Sequence, residues 1–130
     1  MRRGQFEGLD RKLLSPGWRP DYGPARPHPT AGALITGARQ PLIAFNIDLA
    51  TADVQVARQI AGRIRERDGG LPCVKALGLS LPHRGRAQVS MNLTDYTRTD
   101  IQTLFDAVER EAHALGVDVH ESELIGLIPA

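Results

Sequence analysis

The chain has 130 residues, 42% of them apolar and 24% charged, the balance of one globular domain with a single core. Its lone cysteine, Cys73, excludes an internal disulfide and favours a cytoplasmic setting. Met1-Arg2-Arg3 leads into no apolar secretory segment, and no apolar run nears the roughly 20 residues that span a bilayer, so no membrane role is expected. Formal charge is only +1, yet residues 1–39 hold seven Arg/Lys against three acidic residues, while 40–130 hold nine against twelve. That basic excess suits a small anion such as a carboxylate and is too weak to predict nucleic acid as a partner.

Residues 4–14 set Phe6, Leu9 and Leu13 on one face and predict a short helix, stopped by Ser15-Pro16-Gly17. Residues 16–33 are rich in Pro and Gly and predict an irregular loop, with Trp18 and Tyr22 as anchors onto the domain. The stretch 23–49 is the most informative. Glycine lets backbone approach a ligand closely, and Pro24, Pro27 and Pro29 stiffen the loop before anything binds. A strand follows over 42–49, with Ile43, Phe45, Ile47 and Leu49 pointing one way and Leu42, Ala44, Asn46 and Asp48 the other. Helical spacing of Val54, Ala57, Ile60, Ala61 and Ile64 predicts a helix over 52–67, capped by Thr51 and ended by Gly69-Gly70. A strand over 74–81, a hairpin loop Pro82-His83-Arg84-Gly85 and a strand over 87–94 come next. In the latter, Val89, Met91 and Leu93 point inward and Gln88, Ser90, Asn92 and Thr94 outward. Ile101, Leu104, Phe105, Val108, Ala112 and Leu115 form one stripe of a helix over 100–115, with Thr97 and Asp100 as a capping pair and Gly116 as its close. A fourth strand begins near Val117, and an apolar tail, Leu124–Ile128, follows Glu123.

The order β-α-β-β-α-β predicts an α+β, ferredoxin-like sandwich. It is a four-stranded antiparallel sheet with two helices on one face, preceded by a short helix and a Gly/Pro-rich loop. A faint internal repeat supports it: Asn46 leads to Asp53-Val54-Gln55 as Asn92 leads to Asp100-Ile101-Gln102. The expected division is 1–39, connecting helix and ligand loop, and 40–130, the sandwich. The open sheet face would then carry Asn46 and Asp48 beside Gln88, Ser90, Asn92 and Thr94, with small outward residues Ala76, Gly78 and Ser80 from the second strand. Amides and hydroxyls both donate and accept, so this patch can recognise a heterocycle. A plainly solvated sheet face is the competing reading. His28, His83, His113 and His120 show no pairing that would activate a nucleophile, and no Cys/His spacing suits a metal. The residues therefore offer a binding surface, with no catalytic centre and no metal. An RNA-binding sheet would need stacking aromatics on the open face, where Phe45 does not point.

GARQPLIAFNIDL, KALGL, AQVSMNLTD and ELIGLIP stand in the order of the core segments of glutamate formimidoyltransferase, and RRGQFEGL with PDYGP resembles its inter-subdomain connection. The chain thus resembles the C-terminal subdomain of that family's transferase domain. The resemblance implies formimino transfer between N-formimidoylglutamate and tetrahydrofolate, in histidine degradation, with tetrahydrofolate as co-substrate and no metal. It implies a folate-binding loop at Gly23, Pro24, Ala25, Arg26, Pro27, His28, Pro29, Thr30, Ala31 and Gly32. It places the catalytic histidine in an N-terminal subdomain, of which only the connecting segment is expected here. The chain would then be a folate-binding half, inactive without the N-terminal subdomain, and its expected partner is that subdomain or a second copy in a homodimer. Arg39, Asn46, Gln88 and Asn92 are the candidate substrate contacts. Arg39 either grips a carboxylate through two parallel hydrogen bonds or braces the loop. A free-standing small-molecule-binding or regulatory module, without catalysis, is the alternative reading.

Overall fold

The structure, a computed structural model, describes residues 7–128; Phe6 and the terminal Pro129-Ala130 lie outside the described residues. It divides into two compact units, residues 1–38 and 39–130. In the first, helix α1 spans Leu9–Leu13 and buries those two leucines. Pro16 then starts a single 3-10 turn to Trp18, whose N–H donates to the Ser15 carbonyl at 2.9 Å. Proline suits this position because its missing N–H would find no partner there. The Lys12 ammonium lies 5.2 Å from the centre of the Trp18 ring. Tyr22 anchors nothing, contrary to expectation. It is 94% exposed, and its neighbours Asp21, Gly23 and Pro24 are exposed too, so no apolar wall forms beside the ring.

The second unit follows the expected order: β1 (Ile43–Leu49), α2 (Val54–Ile64), β2 (Val74–Leu81), β3 (Arg86–Leu93), α3 (Ile101–Ala114) and β4 (Val119–Ile125). The strands form one sheet in the order β2-β3-β1-β4, with every neighbouring pair antiparallel. This is an α+β architecture, and its strand order is consistent with the split β-α-β plan. Alternation in β1 and β3 sends Ile43, Phe45, Ile47, Leu49, Val89, Met91 and Leu93 into a core that both helices close. The helices contribute Ala57, Ile60, Ala61 and Ile64 from α2 and Leu104, Ala107, Val108 and Ala112 from α3. Each large side chain sealed there is worth about 1.5–3 kcal/mol. Arg63 on α2 and Glu111 on α3 pair at 2.7 Å across the helices.

Both helix starts differ from expectation by a few residues. Asp53, not Thr51, caps α2, accepting the Gln55 N–H at 2.8 Å, while the Thr51 hydroxyl oxygen accepts from the N–H of Asp53 itself. Asp100 caps α3 through the Thr103 N–H at 2.7 Å, and Thr97 instead closes a turn on Asp95. In each case a carboxylate outcompetes a hydroxyl as acceptor for a helix-end N–H. The Thr103 N–H holds the Asp100 carboxyl below its ordinary range, and the Thr97 hydroxyl does the same for Asp95. α2 is also shorter than the expected 52–67, ending where its apolar period ends. Arg65 turns extended after Ile64, and a 3-10 turn over 66–68 ends at Gly69 with φ +91°. The apolar tail splits, since β4 runs on through Leu124 and Ile125.

Candidate functional site

The 23–32 loop is drawn together from within. His28 and Gly32 exchange backbone hydrogen bonds at 2.8 and 2.9 Å, and the His28 Nδ1 accepts the N–H groups of Thr30 and Ala31 at 3.3 and 3.2 Å. Nδ1 is thus the acceptor end of the ring, turned inward on the loop's own N–H groups. Gly23 and Gly32 take φ of +86° and +69°, a region that other residues enter only with strain, so both glycines are required by the backbone. Of the ten loop residues, Pro27 and Gly32 are half-buried and the other eight exposed. An open hollow of about 290 Å³ lies at the head of the loop, lined by Leu13, Leu14, Arg19, Pro20, Gly23 and Ala25. Arg19 and Leu14 were not singled out from the sequence, and Leu13 only as part of a helix face; Arg19 reads there as one of several scattered cations.

On the sheet, the side of β1 and β3 away from the helices carries three cross-strand pairs in register: Asp48 with Gln88, Asn46 with Ser90, and Ala44 with Asn92. Asn46, Gln88 and Asn92 therefore share one face, as expected. They are not equally open. Asn46 and Asn92 are half-buried, whereas Asp48 and Gln88 are 3% and 6% exposed. Gln88 Nε2 donates to Asp48 Oδ1 at 2.8 Å, and Arg84 Nη1 donates to Asp48 Oδ2 at 3.2 Å. Arg84 also stands 3.6 Å from Glu121, which Arg86 approaches at 3.7 Å. Hydrogen bonding and charge from Asp48 hold the Arg84 guanidinium still further toward its protonated form. Arg39 is exposed and donates from Nη1 to the Gln40 carbonyl at 3.1 Å, a contact next door in sequence.

The second strand is turned over relative to expectation. Ala76, Gly78 and Ser80 pair with Met91, Val89 and Ala87 and so belong to the helix side, while Lys75, Leu77, Leu79 and Leu81 line the open face. Helix α2 runs so close to β2 that a Cβ at Gly78 would lie 2.3 Å from the Arg58 nitrogen. Small residues are what that approach demands, and the leucines are displaced to the open side, where Leu77 is 57% exposed. The open face thus has three columns: leucines on β2, amides and a hydroxyl on β3 and β1, and Glu121 and Glu123 on β4, opposite Asp48 and Asn46. Among the described residues, no cluster of three His, Cys, Asp or Glu could hold a metal, and no helix is long and apolar enough to cross a membrane.

Residues 44–130 match the profile of the formiminotransferase domain, and residues 1–39 match that of the same domain's N-terminal subdomain. The chain belongs to the formiminotransferase family. Over its full length the chain is 46% identical to glutamate formimidoyltransferase of Streptococcus pyogenes serotype M1, of which it covers 44%. It is 42% identical to the Thermoplasma acidophilum protein of the same name, over 96% of this chain and 41% of that one. It is likewise 42% identical to the formimidoyltransferase-cyclodeaminase of Mus musculus, over 99% of this chain and 25% of that protein. The chain spans less than half the length of these curated relatives. One expectation is corrected: residues 1–39 are matched by the N-terminal subdomain and are not a mere connection to a C-terminal one. Among the described residues of this stretch there is no strand, so it reads as a linker, yet residues up to 38 form a compact unit of their own.

Proposed function

We propose that the chain is the folate-binding part of a glutamate formimidoyltransferase, with residues 40–130 as the C-terminal subdomain of the transferase domain and a ferredoxin-like sandwich as its scaffold. The reaction is formimino transfer between N-formimidoylglutamate and tetrahydrofolate, in the cytoplasm, with the catalytic histidine supplied by the N-terminal subdomain. The observation that carries this reading is 46% identity, across every residue of the chain, to a protein named for that activity. The loop supports it. Its glycines take the positive-φ turns, its prolines hold it in shape, and its own hydrogen bonds limit the ordering cost of binding a flat ligand. Arg39 is exposed and fork-shaped, fit for a carboxylate. Asn46, Gln88 and Asn92 supply the polar column of the substrate surface.

The test is tetrahydrofolate titration and formimino-transfer assay of the 130-residue chain, with and without an added N-terminal half from the Streptococcus pyogenes relative. Binding by the chain, with turnover only in the mixture, is the expected result. Turnover by the chain alone, above a no-protein control, would remove the division of labour. In the reconstituted mixture Arg39→Ala should weaken folate binding by roughly 1.5–3 kcal/mol, the loss of one charged hydrogen-bonding group, with the melting temperature unchanged. Equal affinity in a folded variant removes Arg39 from the site.

A further inference from the structure

The Gln88 amide has a single workable orientation. Its neighbour Asp48 offers only acceptors, so Nε2 must face Oδ1, as it does at 2.8 Å; the flipped amide would set oxygen against oxygen. Asp48 cannot swing away to relieve this, because Arg84 engages its other oxygen and the side chain is 3% exposed. Arg84 also stands 3.6 Å from Glu121. What remains is Gln88 Oε1. It accepts no hydrogen bond among the described residues, and none of their buried side-chain nitrogens or oxygens lacks a partner, so this oxygen still reaches solvent. A glutamine that would ordinarily present either end of its amide here presents only an acceptor.

The flanking columns narrow what that acceptor can meet. On one side are Leu77 and Leu79, opposite Ser90 and Gln88. On the other are Glu121 and Glu123, opposite Asp48 and Asn46. Arg84 and Arg86 stand against Glu121, so an anionic edge would be repelled chiefly by Glu123 and by the buried Asp48 beside it. A planar edge bearing N–H donors can lie against the leucines and direct its hydrogens at Oε1. We infer that Gln88 Oε1 is a pre-oriented acceptor selecting an amidine-type N–H donor edge, with Asp48 and Arg84 as the positioning residues that hold it. This rests on the reading of the chain as part of a formimidoyltransferase. Two groups in that chemistry carry such an edge: the formimidoyl group of the donor and the amino-pyrimidine ring of the folate.

The test uses the isotopically labelled 130-residue chain. N-formimidoylglutamate is titrated in one arm and tetrahydrofolate in the other, following the Gln88 side-chain amide by NMR. Gln88→Met keeps the volume and removes the acceptor; Asp48→Asn keeps the shape and frees the amide to flip. Whichever ligand meets Oε1 should bind about tenfold more weakly to Gln88→Met, the loss of one hydrogen bond to a buried group. Asp48→Asn should weaken it less and move the Gln88 amide protons upfield. If the donor is the ligand, the wild-type chain should also prefer it to N-formylglutamate, whose oxygen cannot donate, and Gln88→Met should lose that preference. A purely structural role would lower the melting temperature without touching it. Equal affinity of the wild-type chain and folded Gln88→Met for the ligand that binds overturns this inference and leaves the proposed function standing. Failure of the folded wild-type chain to bind either ligand overturns the functional reading, and this inference with it.

Discussion

Residues 39–130 bury Ile47, Leu49, Ile60 and Leu104 almost completely, with both helices sealing one side of the sheet. Among the described residues of 1–38, only Leu9 and Leu13 are buried hydrophobics, and the 23–32 loop keeps its shape through two positive-φ glycines, three prolines and one imidazole. The first construction depends on volume and the second on local backbone geometry. Substitutions should therefore fail in different ways: globally and in proportion to atoms removed in one unit, locally and conformation by conformation in the other.

The strongest test of that contrast is Leu104→Ala, which opens a hole under α3 and should cost about 2–5 kcal/mol, read by denaturant unfolding. A loss under 1 kcal/mol would break the volume argument. Gly78→Ala comes next. The added methyl overlaps the Arg58 backbone, and overpacking of this kind costs about 1–3 kcal/mol, whereas Gly62→Ala, with open space at its Cβ, should be neutral or better. Asp100→Ala should lower the melting temperature by several degrees at neutral pH. The cap holds the folded carboxyl below its unfolded value of about 3.9. Its contribution is therefore fully present above that value and lost as pH falls through the folded one, so wild type and variant should converge in acid. A gap that persists at pH 2 would assign the effect to something other than the carboxylate. The smallest effect on global stability belongs to His28→Phe, which removes the acceptor for Thr30 and Ala31. Amide exchange at those two positions should speed up while the melting temperature stays constant; a drop in melting temperature would show that the loop is coupled to global stability.

How far the sequence reached follows the same division. β1 and β3 were legible because their large and polar residues alternate from Phe45 to Asp48 and from Gln88 to Leu93. β2 was not, because VKALGLSL places its large side chains on the open face. The rule that bulk points inward inverts when a helix backbone needs the room, and nothing in the eight residues announces that. The polar column of Asn46, Gln88 and Asn92 followed from alternation alone. The burial of Asp48 and Gln88 did not, because it depends on Arg84 arriving from a 3-10 turn between two strands. In the loop, the prolines and glycines were visible as letters, but His28 as an internal brace required knowing where Thr30 and Ala31 turn their N–H groups.

The central strand β1 takes one of its two partners, β4, from the last secondary-structure element of the described residues, and Ala50 fastens that strand's approach by donating to the Asp118 carbonyl at 2.9 Å. During synthesis, Asn46 and Asp48 leave the ribosome early, yet the edge beside them stays unpaired until Val119–Ile125 has followed. The acidic column arrives with that strand. The open sheet face is thus assembled in order of translation, polar column first and carboxylates last. A nascent chain stalled before β4 would present a bare backbone edge, open to capture by chaperones, where the finished protein presents Glu121 and Glu123.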